Sequence, residues 1–202
     1  MKLKFDSTLQ FQLDAINSIV DLFEGQPLHK GDFTLEINTS VETGQGSIFQ
    51  TELGIANNLI LSSEAKHSNL NKIQERNDLD LISEKEFDNN GYNFSVEMET
   101  GTGKTYVYLR TIFELSQKYG FKKFIIVVPS VAIREGTLKS IEITQDHFKA
   151  LYNNIEFEHF VYDSRKANRL RQFATSNQIQ IMIINIDAFR KDFSDSEEQK
   201  KS

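Results

Sequence analysis

Six residues, Thr100-Gly101-Thr102-Gly103-Lys104-Thr105, stand between a short alternating apolar run, Phe94-Ser95-Val96-Glu97-Met98, and a helical pattern that begins at Tyr106. Few local sequences restrict a fold so strongly. Gly101 and Gly103 let the backbone turn and bring its N–H groups against an anion, which a Cβ at either place would hinder. A helix opening near Gly103 points its unpaired N–H groups, and the positive end of its dipole, at the same spot. Lys104 can then reach the outer phosphates of a nucleotide, and the Thr105 hydroxyl can ligate a magnesium ion bridging them. A glycine turn that only capped a helix would not explain why Lys and Thr both follow Gly103. The general pattern GxxxxGK followed by Ser or Thr places Gly at position 98, where this chain has Met98, a departure that argues against a GTPase or kinase-type loop.

At 202 residues the chain can bury a sizeable core, enough for one domain with an appendage or for two small domains. No apolar run approaches the roughly 20 residues that span a bilayer. Met1-Lys2-Leu3-Lys4 leads into polar residues rather than the apolar core of a signal peptide, so the expectation is a soluble, cytoplasmic protein with no membrane partner. The absence of cysteine excludes disulfides, thiolate metal sites and cysteine nucleophiles. A net charge of -6 argues against holding nucleic acid by bulk electrostatics, so any such grip must be local.

Upstream of the loop, Leu9 to Phe23 places Leu9, Leu13, Ile16, Ile19, Val20 and Phe23 on one helical face, with Gly25 and Pro27 as stop signals. Gln12 opens this helix. Its amide offers a donor and an acceptor in one plane, matching the N6 and N7 edge of adenine, although taken alone it reads more readily as a solvated helix residue. Asp32 to Ser40 alternates like a half-buried strand. Thr43-Gly44-Gln45-Gly46-Ser47 lacks a following Lys and helix, and reads as a turn or hairpin tip. Asn57 to Leu81 suggests one or two surface helices or a partly mobile insert, Asp88-Asn89-Asn90-Gly91 a turn before the central strand, and His67 an exposed residue without metal-ligand partners.

Downstream, a helix over Tyr106 to Tyr119, a strand over Lys123 to Val128, a helix over Arg134 to His147, a strand over Glu156 to Tyr162, a helix over Arg165 to Ala174 with Leu170 and Phe173 inward, and a strand over Ile179 to Ile186 alternate regularly. Strands apolar on both faces that alternate with helices predict an α/β fold with a mostly parallel sheet covered on both sides. The loops after the strands, Gly101 to Thr105, Pro129 to Arg134 and Asp187 to Arg190, are then expected along one rim. In the second, Pro129 stops a strand, Ser130 can cap the next helix, and Arg134 places a cation near a helix start, where a bound anion would make sense of it. A capped turn with a solvated Arg is the plainer alternative. Asp187 ends an apolar run as a magnesium-organising acid would, but Ala188 follows where a second acid is needed, so a turn shaped with Asn185 and Phe189 is the better reading.

Met98 to Ser140, METGTGKTYVYLRTIFELSQKYGFKKFIIVVPSVAIREGTLKS, resembles the restriction (Res) subunit of type III restriction–modification enzymes, and so do IMIINIDAF (Ile181 to Phe189) and QLDAINSIVDLFEGQ (Gln12 to Gln26). The shorter form TGTGKT is the one helicase-type motors carry. The resemblance implies a three-layer RecA-like P-loop NTPase domain of the superfamily-two helicase type, preceded by an N-terminal helix and an α+β insert. It further implies an ATP-dependent, DNA-translocating motor that cuts double-stranded DNA in complex with a modification (methyltransferase) subunit and the remainder of the Res polypeptide. By that likeness Gln12 reads adenine, while Thr100, Gly101, Thr102, Gly103, Lys104 and Thr105 hold ATP, with Mg2+ at Thr105. Ser130, Arg134, Asn185 and Arg190 become candidates for DNA contact. The expected organisation is an adenine-reading helix segment over 1–28, an insert over 29–93, and an incomplete first ATP-binding lobe over 94–202. Members of the family are several times longer, with an acidic Walker B motif, a second lobe carrying an arginine finger, and a nuclease domain. This chain ends in polar Asp192 to Glu198 and looks like the first part of such a motor, one that binds ATP without completing its hydrolysis. Two other readings compete: a non-catalytic nucleotide- or DNA-binding module that keeps the P-loop fold, and a small nucleotide kinase or switch ATPase, which Met98 disfavours.

Overall fold

A computed structural model describes residues 4–28, 31–39, 48–90 and 92–187. The chain divides into two compact units: the first comprises Met1–His29, Leu59–Gly120 and Lys139–Ile155, the second Lys30–Asn58, Phe121–Leu138 and Glu156–Ser202. Among the described residues no helix is long and apolar enough to cross a membrane.

The first unit is helical. Helix α1 (Gln10–Val20) runs into a 3-10 turn over Asp21–Phe23, and Gly25, at φ +89°, breaks the chain away just before Pro27. Its apolar stripe forms as expected: Ile16 and Val20 are buried, Leu13, Ile19 and Phe23 half-buried, and Leu9 lies outside at the cap. Helix α2 (Ser63–Arg76) starts at Ser62, whose Oγ accepts from the Ala65 N–H at 3.2 Å. Asn69 on α2 donates to the carbonyls of Leu22 (3.2 Å) and Glu24 (2.8 Å), and so satisfies chain ends that the turn after α1 leaves open. Helix α3 (Glu84–Asn90) takes in Asp88, Asn89 and Asn90, so the predicted turn there is the last turn of a helix held by buried Phe87; Gly91 lies outside the described residues. His67 is half-buried rather than exposed, with Nε2 2.8 Å from the Ile82 carbonyl. Helix α4 (Lys104–Tyr119) is bounded by two left-handed glycines, Gly103 (φ +86°) and Gly120 (φ +76°). It packs on α1 and meets the second part of α5 (Val131–Leu151) through Phe113, whose ring lies 4.9 Å from Phe148 and 5.3 Å from Tyr152.

Phe94 to Met98 forms no ladder. The segment carries neither helix nor strand, Phe94 and Val96 are each 41% exposed, and no described strand pairs with it. An alternating pattern marks a segment able to join a sheet; the pairing itself depends on a neighbour.

In the second unit β1 (Gly31–Thr39) and β2 (Ile48–Ala56) form an antiparallel pair in the register Gly31↔Ala56 to Thr39↔Ile48, confirming the predicted strand through Thr39. Ser40 and the predicted tip, Thr43 to Ser47, fall outside the described residues. Strands β3 (Lys123–Val128), β4 (Phe157–Val161) and β5 (Ile179–Asn185) make a parallel sheet in the order β3-β5-β4, with α6 (Ala167–Thr175) between β4 and β5 in sequence. The continuous apolar run of β5 is explained by its central place: Ile179, Ile181 and Ile183 are fully buried. Buried Gln180 is met by Glu158 Oε2 (3.3 Å) and Ser176 Oγ (3.1 Å). Cover on both faces holds for β5 but not for β3, an edge strand whose Ile125 and Val127 are 56% and 55% exposed. Leu170 and Phe173 on α6 are half-buried, Phe173 meeting Phe160 edge-on at 6.0 Å. Helix α5 begins at Val131, earlier than the periodicity suggested, because Ser130 Oγ accepts from the Ile133 N–H at 3.3 Å and starts it.

The first residue of β3 carries a titration signature. Asn57 Oδ1 accepts from the N–H groups of Lys122 (2.7 Å) and Lys123 (3.0 Å), while Lys123 Nζ donates to the Ser176 carbonyl beside the Phe173 ring. Burial, helped by the charge of Lys122, pulls the Lys123 ammonium down to about 8. Because the unfolded chain takes up this proton at higher pH than the folded one, the contribution to stability is fully present above the unfolded value and is lost as pH falls through about 8. The wild-type urea midpoint should therefore rise between pH 8 and 9.5, below ordinary tyrosine ionisation near about 10. A Lys123→Met chain should show a flatter profile; parallel profiles would refute the assignment.

Candidate nucleotide-binding site

The turn that opens α4 is built from two left-handed residues, Gly101 at φ +83° and Gly103 at φ +86° and ψ 36°. Space decides only one of them. A Cβ on Gly101 would meet nothing within 4 Å, whereas one on Gly103 would lie 2.7 Å from Gln12 Nε2. Both glycines are therefore required by backbone conformation, and at Gly103 a Cβ would in addition displace the end of the Gln12 side chain. Thr102 Oγ1 donates to the Glu99 carbonyl at 2.7 Å, and Lys104 Nζ donates to the same oxygen at 3.1 Å. The lysine thus stays at the loop with its side chain exposed, held by a single neutral acceptor.

Helix α4 has no side-chain cap, and its first helical hydrogen bond runs from the Val107 N–H to the Gly103 carbonyl at 3.0 Å. The amides ahead of it point past the helix end. Four features the sequence suggested therefore converge: open amides, the dipole, an ammonium and the half-buried Thr105. Such an end can hold a polyphosphate, and Thr105 stands in the first turn of α4 directly after Lys104.

Gln12 is brought to the same loop from α1. It is only 8% exposed, and its Nε2 donates to the Thr102 carbonyl at 2.9 Å across 90 residues of sequence. The Oε1 acceptor makes no hydrogen bond among the described residues. A committed donor and a free acceptor, fixed beside the loop, suit a purine edge that presents an amine. A groove of about 1180 Å3 on the Phe94–Glu99 side of the loop is a different feature. Its walls are mostly apolar, and their charged groups are Asp14, Glu97 and Glu99, so it is not where phosphates would be held.

Behind the loop lies a cluster that residue-type reasoning missed. The Tyr106 hydroxyl meets His147 Nε2 at 2.9 Å, and the Phe5 ring lies 6.1 Å from Tyr106 and 5.3 Å from His147. Burial raises the Tyr106 phenol, while burial and the nearby Arg110 charge lower the His147 imidazolium. Both groups are accordingly neutral near pH 7, the phenol donating to the ring nitrogen. The available signal was Arg110, a fixed cation on the apolar face of a helix.

In the second unit, Pro129 to Arg134 and Asn185 to Asp187 follow the adjacent parallel strands β3 and β5 and share one edge of that sheet. The Asn185 side chain is buried and its Oδ1 accepts from the Asp187 N–H at 2.9 Å; Ile186 and Asp187 are helical, so the turn expected at Asp187 is instead a helix start that Asn185 caps. Asp187 is exposed. Arg134 has a partner the sequence reading overlooked, since Nε and Nη2 donate to Glu135 at 3.0 and 2.7 Å; its placement needs no bound anion. Ala188, Phe189, Arg190 and the tail from Asp192 to Glu198 lie outside the described residues.

Comparison with known proteins bears on this site. The family model described as "Type III restriction enzyme, res subunit" matches residues 50–202. Among similar proteins, the EcoPI Res subunit of Escherichia phage P1 is 30% identical over 164 residues, covering 80% of this chain and 15% of that protein. The EcoP15I Res subunit of Escherichia coli is 37% identical over 111 residues, or 54% of this chain and 11% of its own length. The StyLTI Res subunit of Salmonella typhimurium is 52% identical over 68 residues, or 33% and 7%. The chain thus spans only about a seventh or less of the length of these relatives. With a RecA-like P-loop domain as the family's fold and a family match covering three-quarters of the sequence, this chain belongs to the family of type III restriction enzyme Res subunits.

Proposed function

We propose that this chain is the N-terminal ATP-binding lobe of a type III restriction motor, a cytoplasmic enzyme that couples ATP-dependent DNA translocation to cleavage of double-stranded DNA. The observation that carries the proposal is the uncapped N-terminus of α4, with Lys104 and Thr105 on it and Gln12 bonded to the loop beside it. In the full-length enzyme the remainder of the Res polypeptide and a modification subunit would complete the machine.

Magnesium-ATP, when bound, supplies the phosphoanhydride whose hydrolysis drives movement. The residues' part is binding and orientation. Gly101 and Gly103 turn the main chain so that loop amides face the phosphates, and Lys104 exchanges the Glu99 carbonyl for a charged oxygen, which makes a stronger hydrogen bond. Thr105 offers its hydroxyl to the metal, and Gln12 offers Oε1 to the adenine amine. Ser130, Arg134 and Arg190 are the proposed DNA-facing positions, with Arg134 released from Glu135 when a phosphate arrives, while buried Asn185 shapes the edge beside them. Water activation calls for a second acid beside Asp187, and Ala188 occupies that place.

Removing the ammonium should cost charge-assisted bonds to several phosphate oxygens, on the order of 100-fold in affinity or more. Calorimetric titration of Lys104→Ala with magnesium-ATP is therefore expected to show no binding where the unmodified chain binds; equal affinity would defeat the proposal. A chain of this length that binds ATP should nevertheless release phosphate at no more than the uncatalysed rate, with or without double-stranded DNA. Steady turnover in a phosphate-release assay would mean that Asp187 or another described group does the missing work.

A further inference from the structure

Arg110 lies on α4, six residues after Lys104, and is only 8% exposed. A guanidinium keeps its charge inside a protein, so its burial is unfavourable unless its donors are met. Glu114 supplies a countercharge at 3.6 Å, one turn along the same helix. The Tyr152 hydroxyl accepts from Arg110 Nε at 3.3 Å and donates to Glu114 at 2.7 Å. An ion pair at this spacing forms as readily on a wet helix face, so it does not account for the burial.

The contact that does is with the main chain. Arg110 Nη1 donates to the Ser7 carbonyl at 2.6 Å, across 103 residues of sequence. Ser7 belongs to a short arm before α1 that contains neither helix nor strand. Asp6 bends the arm by accepting from Thr8 N–H and Oγ1 at 2.8 and 2.6 Å, and Phe5 packs on Tyr106 and His147. Leu9 then caps α1, its carbonyl accepting from the Gln12 N–H at 3.1 Å. The arm has no ladder of its own, so its position and the entry of α1 depend on these few side-chain anchors. Arg110 is the one that grips the backbone.

We infer that Arg110 is a positioning residue for base selection: by holding the Ser7 carbonyl against α4, it sets the first turn of α1 at the height where Gln12 Oε1 meets the amine of adenine. At that height the same oxygen would face the O6 acceptor of guanine, and two acceptors repel. One helix thereby carries the phosphate lysine and, two turns on, the anchor for the base reader. This rests on the nucleotide-binding reading above.

The test uses the whole 202-residue chain and equilibrium binding of ATP, GTP and tripolyphosphate. Arg110→Lys keeps the charge but cannot serve Ser7, Tyr152 and Glu114 together. It should bind ATP about tenfold more weakly while GTP and tripolyphosphate stay within about twofold, the mark of a lost base contact. Amide exchange over residues 8–13 should speed up while α4 stays protected. Tyr152→Phe, a milder change should Arg110→Lys not fold, should lower the ATP-over-GTP preference about threefold. A wild-type preference in either folded variant, or equal weakening of all three ligands, overturns the inference. Gln12→Ala separates the levels. If the unmodified chain binds ATP but Gln12→Ala keeps the preference, base reading fails and the inference with it, whereas the proposed function stands; an unmodified chain that binds no ATP ends both.

Discussion

Ten of the sixteen residues of α4 are buried, and this burial is the constraint on which the candidate site depends. A helix surrounded on most of its circumference must satisfy its polar side chains locally, as Thr111 does by donating to the Val107 carbonyl at 2.9 Å. It must also end abruptly, which left-handed Gly103 and Gly120 allow. Sliding α4 by even a fraction of a turn would separate Phe113 from Phe148 and Tyr152 and strand the Arg110 guanidinium, so the helix has one position. Since the loop is the continuation of that helix, its amides inherit the rigidity. The support beneath a phosphate cradle is thus a matter of packing far from the phosphates.

The loop's own hydrogen bonds show how such a site can stay folded without a ligand and still admit one. Thr102 and Lys104 share the Glu99 carbonyl, and Gln12 uses the Thr102 carbonyl. No strong charge–charge contact has to be broken at Lys104, because its acceptor is neutral. Exchange of that acceptor for an ionised oxygen is favourable, and the helix needs no rearrangement. Gln12 behaves differently. Its donor is committed to the loop backbone at Thr102, so under the proposed reading Oε1 alone is left to face a base while the phosphates are held by the loop itself.

Much of this could be read from residue types, and the failures have a common cause. TGTGKT, the stop at Gly25 and Pro27, and the apolar runs of β3 and β5 act through local rules, and the elements stand where those rules put them. Phe94 to Met98 had the pattern of a strand but lacks a pairing neighbour among the described residues, and Asp88 to Asn90 had turn residues but is helical because Phe87 is buried. His67 was judged by side chains at metal-ligand spacing, whereas its partner is the Ile82 main-chain carbonyl; Arg134 was judged against an absent anion, although the carboxylate of the next residue, Glu135, already meets it. Arg110 stayed hidden because its main-chain acceptor lies 103 residues away. Local periodicity reports which elements can form, whereas long-range hydrogen bonds decide what a polar residue in one of them is for.

The β3–β5 edge adds a chemical distinction. Every residue of β5 is buried, Asn185 included, whereas Asp187 lies past the strand end and is exposed, its N–H donating to Asn185 Oδ1. At the neighbouring strand end Ser130 performs the same service for Ile133. Both helix starts therefore spend their polar side chains on their own backbones. What this edge offers outward is different: exposed Val131 and Ile133, and Arg134 with its charge offset by Glu135. On a chain with a net charge of -6, a cation paired in this way adds no long-range attraction for a polyanion and engages only at contact. Under the proposed reading, such an edge suits a motor that must release and regrip a DNA backbone, since a grip that is weak and local can be broken at each step.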